Sequence, residues 1–349
     1  MGFLPPRVTK QVAAMLSCAV SVTVALGVAQ AESLELQAAG STFSAPLYTK
    51  WIDAFERANP SISMHYASVG SGEGLDRFKR ATVDIAASDV ALTSTEAAKI
   101  ARGVIQVPAT AGMVVLAYNL PGLNNKLKLP QDVYADIFMG RIRTWDDPRI
   151  KAANPGLSLP ARDIALIVRQ ESSGTTFAFT SHLAAIDKNW SDKGPGVGTL
   201  VEWPHGAMIA RGNEGVASRI RISEGAIGYV EFGFAQRLGL PTALLQNKEG
   251  QFIAATPESG IAALAASAGH GLDGLPISLV NPGGIDAYPI VTYSWLLLYE
   301  SYPVERAKAI TTFVNWGLND GQSFASELGY LALPAAVVKF GKTALSHIK

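Results

Sequence analysis

A recurring change of period limits what this chain can become: short apolar runs with strand character pass through Gly/Ser turns into stripes of helical spacing. Leu34, Leu36 and Ala38 alternate and stop at Gly40. Ala45, Leu47, Trp51, Ile52 and Phe55 then mark a helix over 45–58 that ends at Asn59-Pro60. Ile62, Met64 and Tyr66 alternate with Ser61, Ser63 and His65 and run into Gly70-Ser71-Gly72-Glu73-Gly74, with a short helix from Leu75. Residues 84–87 predict a strand followed by Ser88-Asp89, and 104–107 and 113–117 predict two further buried strands. Residues 164–168 predict a strand and 177–185 a helix, and strands follow at 226–230 and 290–298. Beyond them Val304, Ala307, Ile310, Phe313 and Val314 share a helical face. This alternation implies an α/β chain whose mostly parallel sheet is covered by helices on both faces.

A length of 349 residues suits two domains of ordinary size. With 48% apolar residues and 29 basic against 29 acidic side chains, a disordered chain is excluded. A basic face for nucleic acid is not expected either. A single cysteine, Cys18, rules out a disulfide framework and any CxxC site. Arg7 and Lys10 precede an uncharged apolar run over 12–29, and Ala29-Gln30-Ala31 is a small-x-small pattern. These predict a signal peptide over 1–31, cleaved after Ala31, and a periplasmic mature chain from Glu32. The alternative is an uncleaved anchor, since the run is slightly long; a lipoprotein start at Cys18 fits less well because the run continues past it. Loss of Arg7 and Lys10 with the leader leaves 27 basic against 29 acidic residues and no cysteine. No second apolar run reaches spanning length, so a soluble mature protein is expected.

Three loops share one chemistry. Gly40-Ser41-Thr42-Phe43, Gly70-Ser71-Gly72 and Ser172-Ser173-Gly174-Thr175-Thr176 each follow a strand pattern and precede a helix. Ligands of open α/β sheets sit outside the carboxyl ends of the strands, where such loops lie. Helix N-termini there present free N–H groups and partial positive charge, hydroxyls add donors, and glycine lets backbone approach. The three suit a small tetrahedral anion, although any one alone also reads as an ordinary helix cap.

The same residues carry a resemblance. The segments Ala39-Gly40-Ser41-Thr42-Phe43-Ser44-Ala45-Pro46-Leu47-Tyr48, Val69-Gly70-Ser71-Gly72, Ala87-Ser88-Asp89 and Arg169-Gln170-Glu171-Ser172-Ser173-Gly174-Thr175-Thr176-Phe177 resemble the phosphate-binding proteins of bacterial high-affinity phosphate ABC transporters. The likeness continues in order through Gly140-Arg141-Ile142-Arg143-Thr144-Trp145-Asp146-Asp147, Glu202-Trp203-Pro204 and Gly225-Ala226-Ile227-Gly228-Tyr229-Val230-Glu231. It implies a two-lobed, type II periplasmic-binding-protein fold that closes about a hinge over one phosphate. Lobe one would take 32–114 plus 287–349 and lobe two 115–286, with crossovers near 114–117 and 286–290. Carried over residue by residue, Thr42 and Phe43 donate through backbone N–H, Ser71 through its hydroxyl, and Ser173, Gly174 and Thr175 from the inserted lobe. Arg169 is the cation, Asp89 the acceptor, and Glu171 pairs with Arg169 and damps its charge. The partners implied are inorganic phosphate and an inner-membrane ABC permease; a monomer without cofactor or metal is expected. One departure stands out: the usually Gly-rich stretch after Trp203-Pro204 is bulkier here, at His205-Gly206-Ala207-Met208-Ile209-Ala210-Arg211-Gly212-Asn213.

An acidic ligand residue needs its own physical reason. A carboxylate facing an anion repels it unless the anion brings a proton to share. Phosphate keeps a proton near neutral pH and sulfate keeps none, so an acceptor at Asp89 admits one and penalises the other. On sequence alone Asp89 could equally cap the following helix.

Other motifs carry less. Gly341-Lys342-Thr343 lacks the first glycine of a phosphate-binding P-loop and reads as a surface turn. Ser71 and Ser173 sit outside any GxSxG elbow, Gly70-x-Gly72-x-Gly74 is not dinucleotide spacing, and His65, His182, His205, His270 and His347 show no metal-ligand spacing. Trp51, Trp203, Trp295 and Trp316 read as packing residues. Two other functions fit the loops: a phosphate-monoester hydrolase on this fold, which would need a general base the sequence does not identify, and a receptor or sensor for another oxyanion.

Overall fold

The computed structural model describes residues 1–4, 33–123, 127–267 and 279–349. The leader expected over 1–31 lies outside the described residues except for 1–4, as do Cys18 and His270. Contacts divide the chain into Met1–Glu32, whose described residues are exposed and irregular, and one compact unit, Ser33–Lys349.

The strands of that unit are β1 (Leu34–Gly40), β2 (Ile62–Ser68), β3 (Ile85–Ser88), β4 (Ile105–Tyr118), β5 (Lys128–Leu129), β6 (Ala165–Arg169), β7 (Met208–Ala210), β8 (Ala226–Glu231), β9 (Leu244–Gln246), β10 (Phe252–Ile253) and β11 (Val291–Leu298). Eight form one sheet in the order β2-β1-β3-β11-β4-β8-β6-β7, and β10-β9-β5 form a small second sheet. The large sheet is parallel towards its two ends, where β1 joins β2 and β3 and where β6 joins β7 and β8. Its middle is antiparallel, through β11 to β3, β11 to β4 and β4 to β8.

The antiparallel centre follows from one long strand. β4 is 14 residues long and buried throughout, about 45 Å of extended chain. Ile105 to Met113 pair with β11, and Val114 to Tyr118 pair with β8. The two strands expected at 104–107 and 113–117 are therefore one. Pro108 and the small residues between them carry little strand propensity, and the structure accommodates Pro108 where the pairing with β11 slips by a residue.

Helix Ala45–Ala58 forms as its spacing requires. Leu47, Tyr48, Trp51, Ile52 and Phe55 are buried, Pro46 sits in the first turn, and Asn59 closes the last turn onto the Phe55 carbonyl. Trp51 packs edge-on against Phe313 and Trp316 of helix Val304–Leu318 and donates its Nε1–H to the Gly321 carbonyl at 2.7 Å. Two other helices begin earlier than their apolar spacing suggests, at Ser71 (Ser71–Lys79) and at Gly174 (Gly174–Ile186). First-turn amides need no partner within the helix, so Gly and Ser are tolerated there, and both loops become helix N-termini. Gly341-Lys342-Thr343 lies inside helix Ala335–Leu345 rather than in a turn, because a bare Cα at Gly341 lets that helix pack onto Leu318 and Val107.

Candidate anion-binding site

The loops that leave β1, β2, β3, β6 and β7 converge. Each follows the carboxyl end of a parallel strand; β1–β3 run opposite to β6 and β7, and hydrogen bonds such as Gly174 N–H to Ser71 Oγ bring the two sets of loops together. Gly40 makes the first approach possible: its backbone has φ +146°, and a Cβ there would stand 2.0 Å from the Ala87 carbonyl oxygen. That oxygen accepts the Ser41 amide at 2.9 Å, which ties the first loop to the end of β3 and hence to Asp89.

The polar side chains gathered here are almost wholly buried: Thr42, Ser71, Asp89, Arg169, Ser173, Thr175 and Asn213. Arg169 is held from several sides. Its Nε and Nη2 donate to Glu171 Oε1, Nη2 also to Thr42 Oγ1 at 3.0 Å, and Nη1 to Thr175 Oγ1 at 3.3 Å. Glu171 Oε1 accepts the Gly212 amide as well, at 3.0 Å, while Oε2 is buried without a partner.

The direction of the hydroxyl bonds is informative. Thr42 Oγ1 accepts from Arg169, from the Asn213 amide and from Asn213 Nδ2. Thr175 Oγ1 accepts from Arg169 and Asn213, Ser71 Oγ from the Asp89 and Gly174 amides, and Ser173 Oγ from the Thr176 amide. A hydroxyl has one proton to give and two lone pairs to receive with. In all of these bonds the four oxygens receive, which leaves their O–H groups to donate beside a guanidinium, that of Ser71 being directed at Asp89. Asp89 brings an acceptor into that ring. Ser41 Oγ and Ser294 Oγ donate to its Oδ1 at 2.6 and 2.8 Å. Burial pushes its pKa up to about 6, while the hydroxyls of Ser41, Ser294 and Ser71 and the charge of Arg169 pull the other way.

The sheet's two ends meet across this site. Gly174 N–H donates to Ser71 Oγ at 3.2 Å and Gly72 N–H to the Ser172 carbonyl at 3.2 Å. A Cβ on Gly174 would stand 2.6 Å from Asp89 Cβ and 2.7 Å from both Asp89 Oδ2 and Ser71 Oγ, so only glycine permits this approach.

Known proteins match the chain along most of its length. A family model described as a PBP superfamily domain matches residues 27–320. The phosphate-binding protein PstS of Haemophilus influenzae is 38% identical over 311 residues, covering 88% of this chain and 91% of that protein. The chain belongs to the PstS family. The PstS of Methanocaldococcus jannaschii is 35% identical, with 90% of this chain and 86% of that protein covered. Among solved structures, a high-affinity periplasmic phosphate-binding protein, PfluDING, superposes with a TM-score of 0.70 at 22% identity, covering 89% of this chain and 93% of its own. A phosphate-binding protein from Stenotrophomonas maltophilia gives a TM-score of 0.68 at 18% identity, covering 89% and 94%. The relatives are named as binding proteins, and the solved structures share the periplasmic-binding-protein fold.

In this chain Thr42, Ser71, Asp89, Arg169, Ser173, Gly174 and Thr175 come together, with Glu171 against Arg169. The Phe43 amide, expected to face a ligand, donates to Ser41 Oγ at 3.0 Å, and the buried ring packs against Gly112 and Tyr330. Three side chains were not anticipated: Ser41, Ser294 and Asn213. Asn213 stands at the start of helix Gly212–Ile222, donates to Thr42 and Thr175, and accepts the Glu231 amide at 2.9 Å. Its signal was a further strand-loop-helix turn, after β7, inside the stretch noted for its bulk. Ser294, mid-strand in β11, had no local signal. Among the described residues no group of three or more His, Cys, Asp or Glu is placed to hold a metal.

Proposed function

We propose that this chain is a transport receptor that captures inorganic phosphate between two lobes and delivers it to an ABC permease in the inner membrane. The observation that carries the proposal is the gathering of the Thr42, Ser71, Ser173 and Thr175 hydroxyls and the Arg169 guanidinium around the buried carboxyl of Asp89. Four O–H groups and the first-turn amides suit the oxygens of a tetrahedral oxyanion. Asp89 suits the proton that phosphate carries and sulfate lacks. The 35–38% identity to phosphate-binding proteins named PstS supports the same ligand.

The lobes are 32–114 with 287–349, and 115–286. The change of partner along β4 between Met113 and Val114 supports that division, since pairing with β11 ends and pairing with β8 begins there. Closure bends the chain at this point and brings Gly174 onto Ser71. The receptor acts as a monomer in the periplasm, exported by a leader cleaved after Ala31. Similarity to a protein described as periplasmic supports that location, and among the described residues no helix is long and apolar enough to cross a membrane.

Calorimetric titration of the mature chain with phosphate and with sulfate tests this reading, together with Asp89→Asn. Wild type should bind phosphate well above sulfate. The variant should lose at least tenfold of that preference, the scale of one hydrogen bond to a charged group. A wild-type chain that ignores phosphate would falsify the receptor function; an equally selective Asp89→Asn would show that geometry alone discriminates.

A further inference from the structure

We infer that Ser294, on the strand that returns from the second lobe to the first, is a specificity-determining residue: its hydroxyl fixes Asp89 with Oδ1 occupied and Oδ2 left to meet the ligand's proton. The inference rests on the phosphate-receptor reading and adds a residue outside every ligand loop.

The register explains how Ser294 gets there. β11 runs antiparallel to β3 with Trp295 opposite Ser88, so the next pair along the same register is Ser294 and Asp89. Pairing with β4 slips between Ser294 and Trp295, at the edge of the Pro108 irregularity. The extra residue, Ala109, lies on β4, so β11 keeps the register that carries Ser294 to Asp89. Ser294 is fully buried, and its Oγ lies 2.8 Å from Asp89 Oδ1, 2.9 Å from Ser44 Oγ and 3.4 Å from the Tyr48 hydroxyl. The neighbouring Thr292 hydroxyl holds the Asp89 backbone carbonyl at 3.3 Å.

Proton counting sets the polarity. Ser294 has one proton, and the ionised oxygen of Asp89 is the stronger acceptor of the two within reach. The Ser44 hydroxyl can then donate to Ser294, as the Tyr48 hydroxyl does, and the chain runs towards the carboxylate. Burial pushes the Tyr48 phenol up, so it remains a donor throughout the neutral range. Ser41 Oγ fills the other approach to Oδ1 at 2.6 Å. With Oδ1 doubly hydrogen-bonded, Oδ2 faces the other lobe, close to Gly174.

The same bonds decide whether Asp89 is an acceptor at all. Burial raises its pKa to about 6, and the hydroxyls of Ser41 and Ser294 are the two largest influences holding it down. The other titratable groups facing it are Arg169 on β6, Glu231 on β8, Tyr48 on helix Ala45–Ala58, Tyr66 on β2, and Tyr330. Of these only Arg169 favours the ionised form. Without the Ser294 hydroxyl Asp89 gains its proton at a higher pH, becomes a donor, and ceases to reject a fully ionised oxyanion.

The test is calorimetric titration of wild type, Ser294→Ala and Ser294→Thr with inorganic phosphate and with sulfate, between pH 5.5 and 8.5. In wild type the phosphate-to-sulfate ratio should be high at pH 8 and fall as Asp89 is protonated. In Ser294→Ala the ratio at pH 7 should drop by about tenfold, and the midpoint of its decline should move up by about one pH unit. Ser294→Thr, which keeps the hydroxyl, should follow wild type. Should the alanine variant fail to fold, Ser294→Cys, close in size and a far weaker donor, carries the same expectation. An unchanged ratio and midpoint in a variant that still binds phosphate overturns the role of Ser294. So does an equal loss of both anions with the midpoint unmoved, which marks Ser294 as packing alone. A wild-type chain that binds no phosphate overturns the receptor reading itself.

Discussion

At the scale of single residues, the site depends on contacts in which one heavy atom is too many. Gly174 is the sharpest case, since a Cβ would collide with Asp89 and Ser71 at 2.6 to 2.7 Å. Asp89 is pinned at Oδ1 by two hydroxyls and cannot swing aside cheaply. Gly174→Ala should therefore hold the lobes apart and weaken phosphate binding by about ten- to a hundredfold, the equivalent of about 1–3 kcal/mol of overpacking. On the closure proposed above, its effect on thermal unfolding should be small, because the collision would exist only in the closed form. Wild-type affinity in this variant would mean that closure does not need this approach.

At the scale of elements, β4 sets the geometry. Its 14 buried residues serve two partner strands, and the Val114 amide donates to the Ile290 carbonyl at 2.9 Å where the partners change. Val114→Pro removes that donor and leaves a buried carbonyl unpaired, a loss of about 1–3 kcal/mol. Urea unfolding should show this loss together with weaker phosphate binding; a stable variant with normal binding would separate this point of β4 from the hinge. Elements differed in how readily the sequence disclosed them. Helix Ala45–Ala58 was legible because Leu47, Trp51, Ile52 and Phe55 mark one face and Asn59-Pro60 ends it. β4 was not legible as one strand, because Pro108 and Gly112 interrupt its pattern and only the pairing with β11 and β8 holds it straight. The site divides similarly. Thr42, Ser71, Asp89 and Ser173–Thr175 sit in Gly/Ser loops after strands and announce themselves. Asn213 was hidden in a loop noted for bulk, and Ser294 looks like any small residue of a buried strand until register sets it opposite Asp89.

At the scale of the whole molecule, buried acids tie stability to pH. Burial lifts Asp89 to about 6 and Glu231 to about 8, against ordinary carboxyl values near 4. Through these two acids the folded chain binds more protons than the unfolded chain, which lowers stability as pH rises from about 4 to about 8; His182, pushed down to about 3 by burial, opposes this below its ordinary value near 6.5, and the two acids outweigh it between pH 5 and 8. Thermal melts of the phosphate-free chain should therefore give a higher Tm at pH 5 than at pH 8, and Glu231→Gln should flatten the slope. A Tm that climbs over that range would mean that Glu231 is ionised in the fold, held by the Gly233 and Phe234 amides it accepts.

On the two-lobe reading proposed above, β4 also has a mechanical consequence. It is continuous from the stretch that pairs with β11 to the stretch that pairs with β8, so closure would change the separation of two marks placed one on each lobe. A donor and acceptor dye on opposite rims would then convert ligand occupancy into an optical signal, and a signal unchanged by phosphate would count against closure.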